Sequence, residues 1–337
     1  MNFGGILLAN QGNATAAKAK YEEALAIHRQ IGSNLGVAAE LDNLGDVSFA
    51  LGDLAGSRRK YEEAMTIYRE IGHENGVCLT KGALGPVLLA LGDGSGSIRT
   101  SQEAVDICSR LGDRSKAAFA LFSLGRALRL KGRITEAREA GFKAVSAFED
   151  IGDKQSAARA RLTIAELLID EGNLKQARLT ASKAADEFEE EHAARDGALA
   201  YAILSQAFLR EGNLVEARKA IERAGVDLSK CNDREAELMV AISAARIQAV
   251  SGSVANGDAA KAFQKIATEA NRLGFVTYEL EPRLALAEIE VNSGDRTNGR
   301  SHLEALQKEA ADRGFGLIAL KAAGDLKTLV PAKPRQQ

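Results

Sequence analysis

The hydrophobic positions of this chain follow the period of an α-helix in one block after another. In the clearest block, small and apolar residues stand three and four positions apart, which predicts a stripe along one face of a helix. These residues are Val37, Leu41, Leu44, Ser48 and Leu51. A second stripe begins at Leu54, after a corner in which Gly52 ends the first helix and Asp53 caps the next. Because this corner is short, the two helices are predicted to lie antiparallel.

The same corner recurs at a constant interval. Its glycines are 40 residues apart, at Gly12, Gly52, Gly92, Gly132, Gly172, Gly212 and Gly252. The final step, to Gly294, is 42 residues, which predicts a two-residue insertion in the turn from Ser253 to Gly257. A second glycine keeps the same interval but is replaced at His192 and Asn232. Self-similarity of this kind is typical of a repeat array, so we predict an all-α solenoid.

The interval divides the chain into units of one repeat domain over residues 1–330. We predict units at residues 1–32, 33–72, 73–112, 113–152, 153–192, 193–232, 233–274 and 275–314, with a terminal cap at 315–330. The first unit lacks the opening turns of its first helix. We therefore interpret the chain as cut from a longer polypeptide, or as capped there by another element. Residues 331–337 are predicted to be a disordered tail.

Small residues form two columns, one on each helix of the unit. The first-helix column is Gly5, Gly45, Gly85, Gly125, Ala165, Ser205, Ala245 and Ala287. The second-helix column is Ala24, Ala64, Ala104, Ala144, Ala184 and Ala224. Glycine inside a helix costs about 0.5–1 kcal/mol relative to alanine, so its recurrence predicts close contact between helices.

These features resemble the tetratricopeptide repeat family. The resemblance is carried by Leu44-Gly45 and its equivalents, by the Gly-Asp corner, and by the aromatic Tyr61 followed by Ala64. The usual unit of that family has roughly 34 residues. The longer spacing here is more similar to the repeats of kinesin light chains, spindle-orientation scaffolds and large bacterial signalling proteins. The chain departs from the family in lacking the tryptophan that opens the first helix and the proline that closes the second.

The resemblance implies a right-handed superhelix of about eight antiparallel helix pairs, with the first helices lining a concave groove. The residues expected to face a partner are Asp42, Asp46, Phe119, Phe122, Arg126, Arg129, Glu166, Gln206, Arg246 and Glu288. The phenylalanines beside Arg126 and Arg129 are the cluster most similar to a binding hot spot. An alternative is that Phe119 only packs between repeats.

Composition narrows the possible partners. The 44 lysines and arginines balance 46 acidic residues, so no net field favours nucleic acid or an anionic membrane. No apolar run is long enough to span a bilayer, and no signal peptide is evident. Cys78, Cys108 and Cys231 are isolated and odd in number, which favours unpaired thiols in a reducing compartment. The predicted location is therefore the cytoplasm.

The third unit departs from the repeat pattern. Its first helix contains Gly82, Gly85 and Pro86, and its second begins with a glycine and serine run from Gly94 to Ser97. An interior proline removes one hydrogen bond and costs about 3 kcal/mol. We expect this to be the softest unit. Either its neighbours hold it in shape, or it forms a kink that changes the superhelix where a partner docks.

No catalytic, cofactor-binding or metal site can be assembled from the sequence. The four histidines are scattered, and the glycine-rich segment from Gly92 to Ser97 lacks the lysine and the preceding strand of a phosphate loop. We therefore predict a non-catalytic scaffold, without cofactors, that holds a peptide, a helix or another domain of a parent protein in its groove. The alternative is a regulatory sensor that binds a small molecule or a signalling peptide.

Overall fold

The protein is described by a computed structural model that covers residue 5 and residues 8–9, 13–250 and 253–329, with the side chains of all of these except 253–256. Within these residues the chain forms sixteen α-helices after residue 13 and no strands. In chain order, α1 to α16 are Ala14–Gln30, Asn34–Ala50, Leu54–Glu70, Glu74–Ala90, Gly94–Arg110, Arg114–Leu130, Ile134–Asp150, Lys154–Asp170, Leu174–Glu190, Ala194–Arg210, Leu214–Leu228, Arg234–Ala249, Ser253–Leu273, Val276–Asn292, Arg296–Asp312 and Gly316–Thr328.

The helix ends lie where the glycine pattern predicts them. Gly52 takes a φ of 82°, a left-handed conformation that suits glycine because it lacks a Cβ. The Asp53 carboxylate then accepts a hydrogen bond of 2.8 Å from the backbone N–H of Gly56, which caps α3. Asn13 caps α1 in the same way, through Ala16. The local sequence therefore fixes where each helix starts and stops.

Successive helices pair as antiparallel hairpins, and α16 lies on the last pair as the predicted cap. The small columns set the distance within a hairpin. A methyl group added at Gly45 would lie 2.6 Å from Cε1 of Tyr61, so glycine is required for this approach. The Ser57 hydroxyl also donates a hydrogen bond of 2.8 Å to the carbonyl of Gly45. Close packing and a hydrogen bond therefore coincide at the first-helix column.

Two expectations need correction. The predicted insertion is not in a turn, because residues 253–257 belong to α13, which is 21 residues long. Residues such as Ser, Val and Ala are tolerated in a helix, so the extra residues lengthen it. The cysteines are not all unpaired either: Cys78 on α4 and Cys108 on α5 form a disulfide, and Cys231 is a buried free thiol. Antiparallel pairing of α4 and α5 brings the first two together, which spacing along the chain does not reveal.

The third unit keeps the geometry of its neighbours. Its helix α4 is continuous through Pro86, and α5 begins at Gly94 under a cap from Asp93. Both helices have 17 residues, as most other helices of the array do. The packing of adjacent units and the disulfide therefore hold the unusual sequence in the common form, and its predicted softness stays a prediction.

The array makes a full turn and closes on itself. Gly52 packs on Arg234 at the start of α12, Gly92 packs on Val276 at the start of α14, and Gly132 packs on Gly316 at the start of α16. Each corner thus meets a helix start more than four units later in the chain. In a simple solenoid, a repeat touches only its sequence neighbours. Here a second, long-range set of contacts joins the two ends of the turn.

Apolar side chains fill the seam between the two ends. Phe49 on α2 makes an edge-to-face contact with Phe275, with ring centroids 5.7 Å apart. Leu89 and Leu130 belong to the same buried cluster as Phe315, together with much of α14 to α16. Among the described residues, no helix is long and apolar enough to cross a membrane. The closed turn places the inner faces of the first helices around a central space.

Candidate functional site

The central space is a cavity of about 460 Å³ enclosed by the closed turn. Its walls come from the inner faces of α4, α6, α8, α10, α12, α14 and α16. Its apolar side chains include Leu89, Ile169, Leu209, Met239, Ile242, Phe275, Tyr278 and Leu284. Its charged side chains are Arg126, Arg129, Glu166, Asp170, Arg210, Glu235, Arg246, Glu281, Glu288, Lys321 and Asp325. Charged and apolar side chains therefore contribute about equally to the wall, which makes it more polar than the usual small-ligand cleft.

The structure brings six of the ten predicted groove residues together in this cavity. They are Arg126, Arg129, Glu166, Gln206, Arg246 and Glu288. Asp46 lines a different cavity, and Asp42, Phe119 and Phe122 line neither of the two. The periodic register on the first helices therefore identifies the wall of the cavity for units four to eight.

The other three residues lie within the helix packing. Asp42 is buried, with only 6% of its surface exposed, and it is hydrogen bonded to Thr80 of the next unit. Phe119 packs against Gly82, which has no side chain to obstruct the ring, so the interpretation as inter-repeat packing is correct. Phe122 lies beside Phe119 and under the guanidinium of Arg126, 5.9 Å from its ring centroid. Phe122 therefore supports a cavity residue without lining the cavity.

Ion pairs that join distant units cross the inner wall. The Arg126 guanidinium on α6 donates a hydrogen bond of 2.5 Å to Glu235 on α12. Arg129 donates to Asp170 at 2.7 Å and to Glu166 at 2.9 Å. These charge-assisted hydrogen bonds link α6 both to the adjacent unit and to the opposite side of the turn.

The cap helix joins the same network. Lys321 Nζ on α16 lies 2.7 Å from Asp170 Oδ1 on α8. Asp170 is thus held between Arg129 and Lys321 while only 3% of its side chain is exposed. Burial acts to raise the pKa of the Asp170 carboxyl, but the two cations together hold it below its ordinary value. This carboxylate stays charged and ties the cap to the middle of the array.

Part of the charge in the cavity has no partner. Among the described residues, Arg210, Glu281 and Asp325 form no ion pair within 4 Å. Glu288 and Arg246 are 3.5 Å apart, and burial raises the pKa of the Glu288 carboxyl. Burial also raises the pKa of Asp325. Partly buried carboxyl groups such as Glu288 and Asp325 can gain interactions from a bound ligand.

The sequence did not single out several residues of this site. Asp170, Glu235, Arg210 and Lys321 take part in the cavity although they were not among the predicted groove positions. Asp170 and Arg210 lie four residues after the predicted Glu166 and Gln206. Residues four apart share a helix face, so extending each groove position by one helical turn could have identified both. Lys321 comes from the cap, to which the repeat register does not apply.

Metal chemistry finds no support in the described part of the chain. There, no group of three His, Cys, Asp or Glu side chains is placed to hold a metal ion. The inner carboxylates are instead bound by arginine and lysine. The arrangement offers charged and apolar contacts to a ligand.

The comparison with sequence families agrees with this repeat. Residues 1–70 match the family model described as Tetratricopeptide repeat. None of the curated proteins matches this sequence.

Solved structures with the same fold cover almost the whole chain. A Rap protein complexed with Competence and Sporulation Factor is 14% identical, has a TM-score of 0.64, and covers 96% of this chain and 95% of its own. A Rap conjugation gene regulator of plasmid pLS20, in complex with the Phr* peptide, is 15% identical, with a TM-score of 0.61 and coverages of 90% and 78%. Aspartyl phosphate phosphatase F from Bacillus subtilis is 11% identical, with a TM-score of 0.60 and coverages of 87% and 75%.

The class of protein follows from these findings together. The chain is a tetratricopeptide-like α-solenoid, and the predicted resemblance and fold class are both confirmed. At this level of identity the structural likeness establishes the fold alone.

Proposed function

We propose that this protein is a non-catalytic interaction scaffold that binds a peptide, a helix or a partner domain at its central cavity. One observation carries the proposal: three charged groups without ion-pair partners, Arg210, Glu281 and Asp325, line the same cavity as a set of apolar side chains. A peptide supplies both kinds of contact, since its side chains can fill the apolar wall and its charges can pair with these groups.

The structural relatives support a peptide as the occupant. Two of the Rap proteins described above were solved with a bound factor or peptide. Fold similarity alone does not transfer a function, so the proposal depends on the cavity of this chain. Arg126 and Arg129 would shape the site, because their guanidinium groups are already held by Glu235, Asp170 and Glu166.

A sensor for a small molecule or a signalling peptide is a second candidate. The observation in its favour is the limited cavity volume of about 460 Å³, which falls within the range of small-ligand sites. A ligand of this kind would bridge the two sides of the seam, because α6 and α12 face each other across the cavity. Binding would then stabilise the closed turn by mass action.

Selection of peptides from a random library would test the scaffold proposal. Peptides selected on the purified protein would be measured by calorimetry against Arg210→Glu and Glu281→Lys, which alter the cavity without breaking an existing ion pair. We expect each reversal to weaken binding by about tenfold or more, equivalent to about 1.4 kcal/mol. The matched controls are Arg69→Glu and Glu222→Lys, which are exposed and do not line the cavity.

Two results would overturn the assignment. One is that the cavity variants bind the selected peptides as well as the wild type does. The other is that the control variants lose binding instead. Adding small molecules in a thermal-shift screen separates the second candidate, because a small-molecule sensor would show a rise in Tm that Arg210→Glu reduces.

A further inference from the structure

A second cavity lies beside the central one and is not used by the proposed function. Its volume is about 700 Å³. One wall is the end of α2, with Asp46, Val47, Phe49 and Ala50. The facing wall comes from the starts of α8, α10 and α12, and includes Gln155, Arg159, Arg195, Cys231 and Asp233. The two walls belong to units that are far apart in sequence.

Both lapses of the repeat pattern occur at this cavity. His192 and Asn232, which replace the second glycine of the unit, are among its lining residues. His192 keeps the left-handed conformation of the glycine, with a φ of 55°. The helix that follows, α10, begins at Ala194, and its N-cap residue Ala193 has no side chain that can accept a cap hydrogen bond. Departures from a local rule that converge on one place are typical of functional sites.

The wall formed by α2 carries negative charge without a cationic partner. Asp46 is exposed to the cavity, receives one hydrogen bond from the Tyr61 hydroxyl and forms no ion pair with a described residue. Burial among the surrounding atoms raises the pKa of its carboxyl. A carboxylate without a cationic partner gains from a cation placed beside it.

The facing wall offers a donor. The Arg159 side chain is 39% exposed, and its Nε and Nη2 both contact Asp196, at 2.8 and 2.6 Å, whereas Nη1 has no such contact. Asp196 is itself shared with Arg195, which also binds Asp233. The planar guanidinium can therefore receive a second carboxylate without giving up the first.

From these observations we propose that the second cavity binds a small zwitterion, with its ammonium group at Asp46 and its carboxylate at Arg159. Val47, Phe49 and Ala50 also line the cavity and offer apolar contacts to a side chain of the ligand. A free amino acid and a short peptide with both ends free share this chemistry. The site is separate from the central cavity, because Asp46 and Arg159 do not line that cavity.

Calorimetry with capped and free probes tests the proposal. The probes are L-phenylalanine and the tripeptide Ala-Phe-Ala, each also with its amine acetylated or its carboxylate amidated. We expect a free-ended probe to bind, and either cap to weaken binding by about tenfold or more. Binding of L-phenylalanine identifies an amino-acid site, and binding of the tripeptide alone identifies a site for a short peptide held at both ends.

Two variants assign the ends of the ligand. Asp46→Asn should abolish the difference between the free and acetylated probes, and Arg159→Gln should abolish the difference between the free and amidated probes. Asp46→Asn should also raise the Tm of the unliganded protein, because it removes an unpaired enclosed charge. A residue with only a structural role would not combine a loss of discrimination between the free and acetylated probes with a gain in Tm. Glu222→Gln and Arg69→Gln are matched controls outside the cavity.

The result that overturns the proposal is that neither free-ended probe binds, or that all three forms of each probe bind alike. Arg210→Glu, which changes the central cavity only, should leave binding of these probes unchanged. If these probes do not bind while peptides still bind at the central cavity, only the proposal for the second cavity is rejected. The two proposals can therefore be distinguished.

Discussion

Two inner walls of this molecule accommodate buried charge in different ways. The unit-two wall consists of Glu40, Asp42 and Asp46 on α2, and none of these carboxylates forms an ion pair with a described residue. The paired wall consists of Arg126, Arg129, Glu166, Asp170, Glu235 and Lys321, whose charges are matched across the turn. The first wall is held by neutral donors, the hydroxyl groups of Thr80 and Tyr61 and the amide of Asn43, and the second by opposite charges.

The difference appears in the pKa values. On the unit-two wall, burial raises the pKa of Asp42 to about 7, and the hydrogen bond from Thr80 offsets only part of this. On the paired wall, burial acts in the same direction at Glu235, but Arg126 and Arg195 hold its pKa below the ordinary value. Burial alone therefore does not decide protonation, because the partner across the interface does.

The hydrogen bonds at Asp42 agree with a neutral carboxyl. The Thr80 hydroxyl lies 2.9 Å from Asp42 Oδ1 and 2.9 Å from the carbonyl of Gly76, yet it has a single proton. If Thr80 donates to Gly76, a protonated Asp42 can donate to Thr80 in turn. This chain of donors satisfies all three groups near neutral pH.

The largest expected effect lies on the paired wall. Arg129→Ala leaves the buried carboxylates Asp170 and Glu166 without their main partner, which should cost about 3–5 kcal/mol in the free energy of unfolding. Urea denaturation at pH 7 measures it. Arg58→Ala is the control, since its pair with Glu62 is exposed and worth less than about 0.5 kcal/mol. Equal losses in the two variants would contradict the distinction between the walls.

The unit-two wall should respond to pH with the opposite sign to a paired carboxylate. The folded pKa of Asp42 is raised from 3.8 to about 7, so its ionisation destabilises the native state as pH rises from about 4 to 7. Asp42→Asn should therefore be more stable than the wild type by about 2–4 kcal/mol at pH 8 and by much less at pH 4. Denaturation at both pH values checks this. A difference that does not vary with pH would show that Asp42 ionises normally.

A third prediction tests how closely the unit-two helices approach. Gly45→Ala places a methyl group against the Tyr61 ring and should destabilise the protein by about 1–3 kcal/mol. Gly225→Ala, in a helix where the added methyl meets no neighbour, should instead stabilise it by about 0.5–1 kcal/mol. Thermal unfolding of both variants gives the comparison. The packing argument fails if the two substitutions change Tm in the same direction.

The smallest effect concerns the corner before α10, where His192 lines the second cavity. His192→Gly should stabilise the protein by about 1 kcal/mol, because glycine adopts a positive φ without the steric cost of a Cβ. His73→Gly is not equivalent, since His73 has an ordinary φ and caps α4 through its imidazole, and it should destabilise. Chemical denaturation distinguishes the two. A loss of stability in His192→Gly would mean that its side chain makes a contribution greater than the backbone cost.

Much of the fold could be predicted because it is periodic. Corners such as Gly52-Asp53 specify helix ends locally, and the constant interval specifies stacking. Arg126, Glu166 and Gln206 could be predicted to line the central cavity, because the same register applies to every first helix. The same register was wrong for Asp42 on the unit-two wall, because Thr80 of the next unit covers this residue.

Closure of the turn was not predictable from the period, because its contacts join residues more than a hundred positions apart. One sequence signal does accompany it. The residue before the corner glycine is Leu51 or Leu91 at two of the covered corners, and Glu171 or Glu211 at two corners whose glycine has no neighbour within 4 Å. The third covered corner, Gly132, follows Lys131, so leucine at this position accompanies burial of the corner without being required for it.

Closure of the turn is the central claim, because both cavities depend on it. It is tested most directly by double electron–electron resonance between spin labels at Arg133→Cys and Leu320→Cys. The native cysteines are replaced by alanine or serine in this protein. Both positions are exposed and flank the contact between Gly132 and α16. We predict a single short and narrow distance distribution in solution. A broad distribution at long distances would show an open superhelix and would contradict the account.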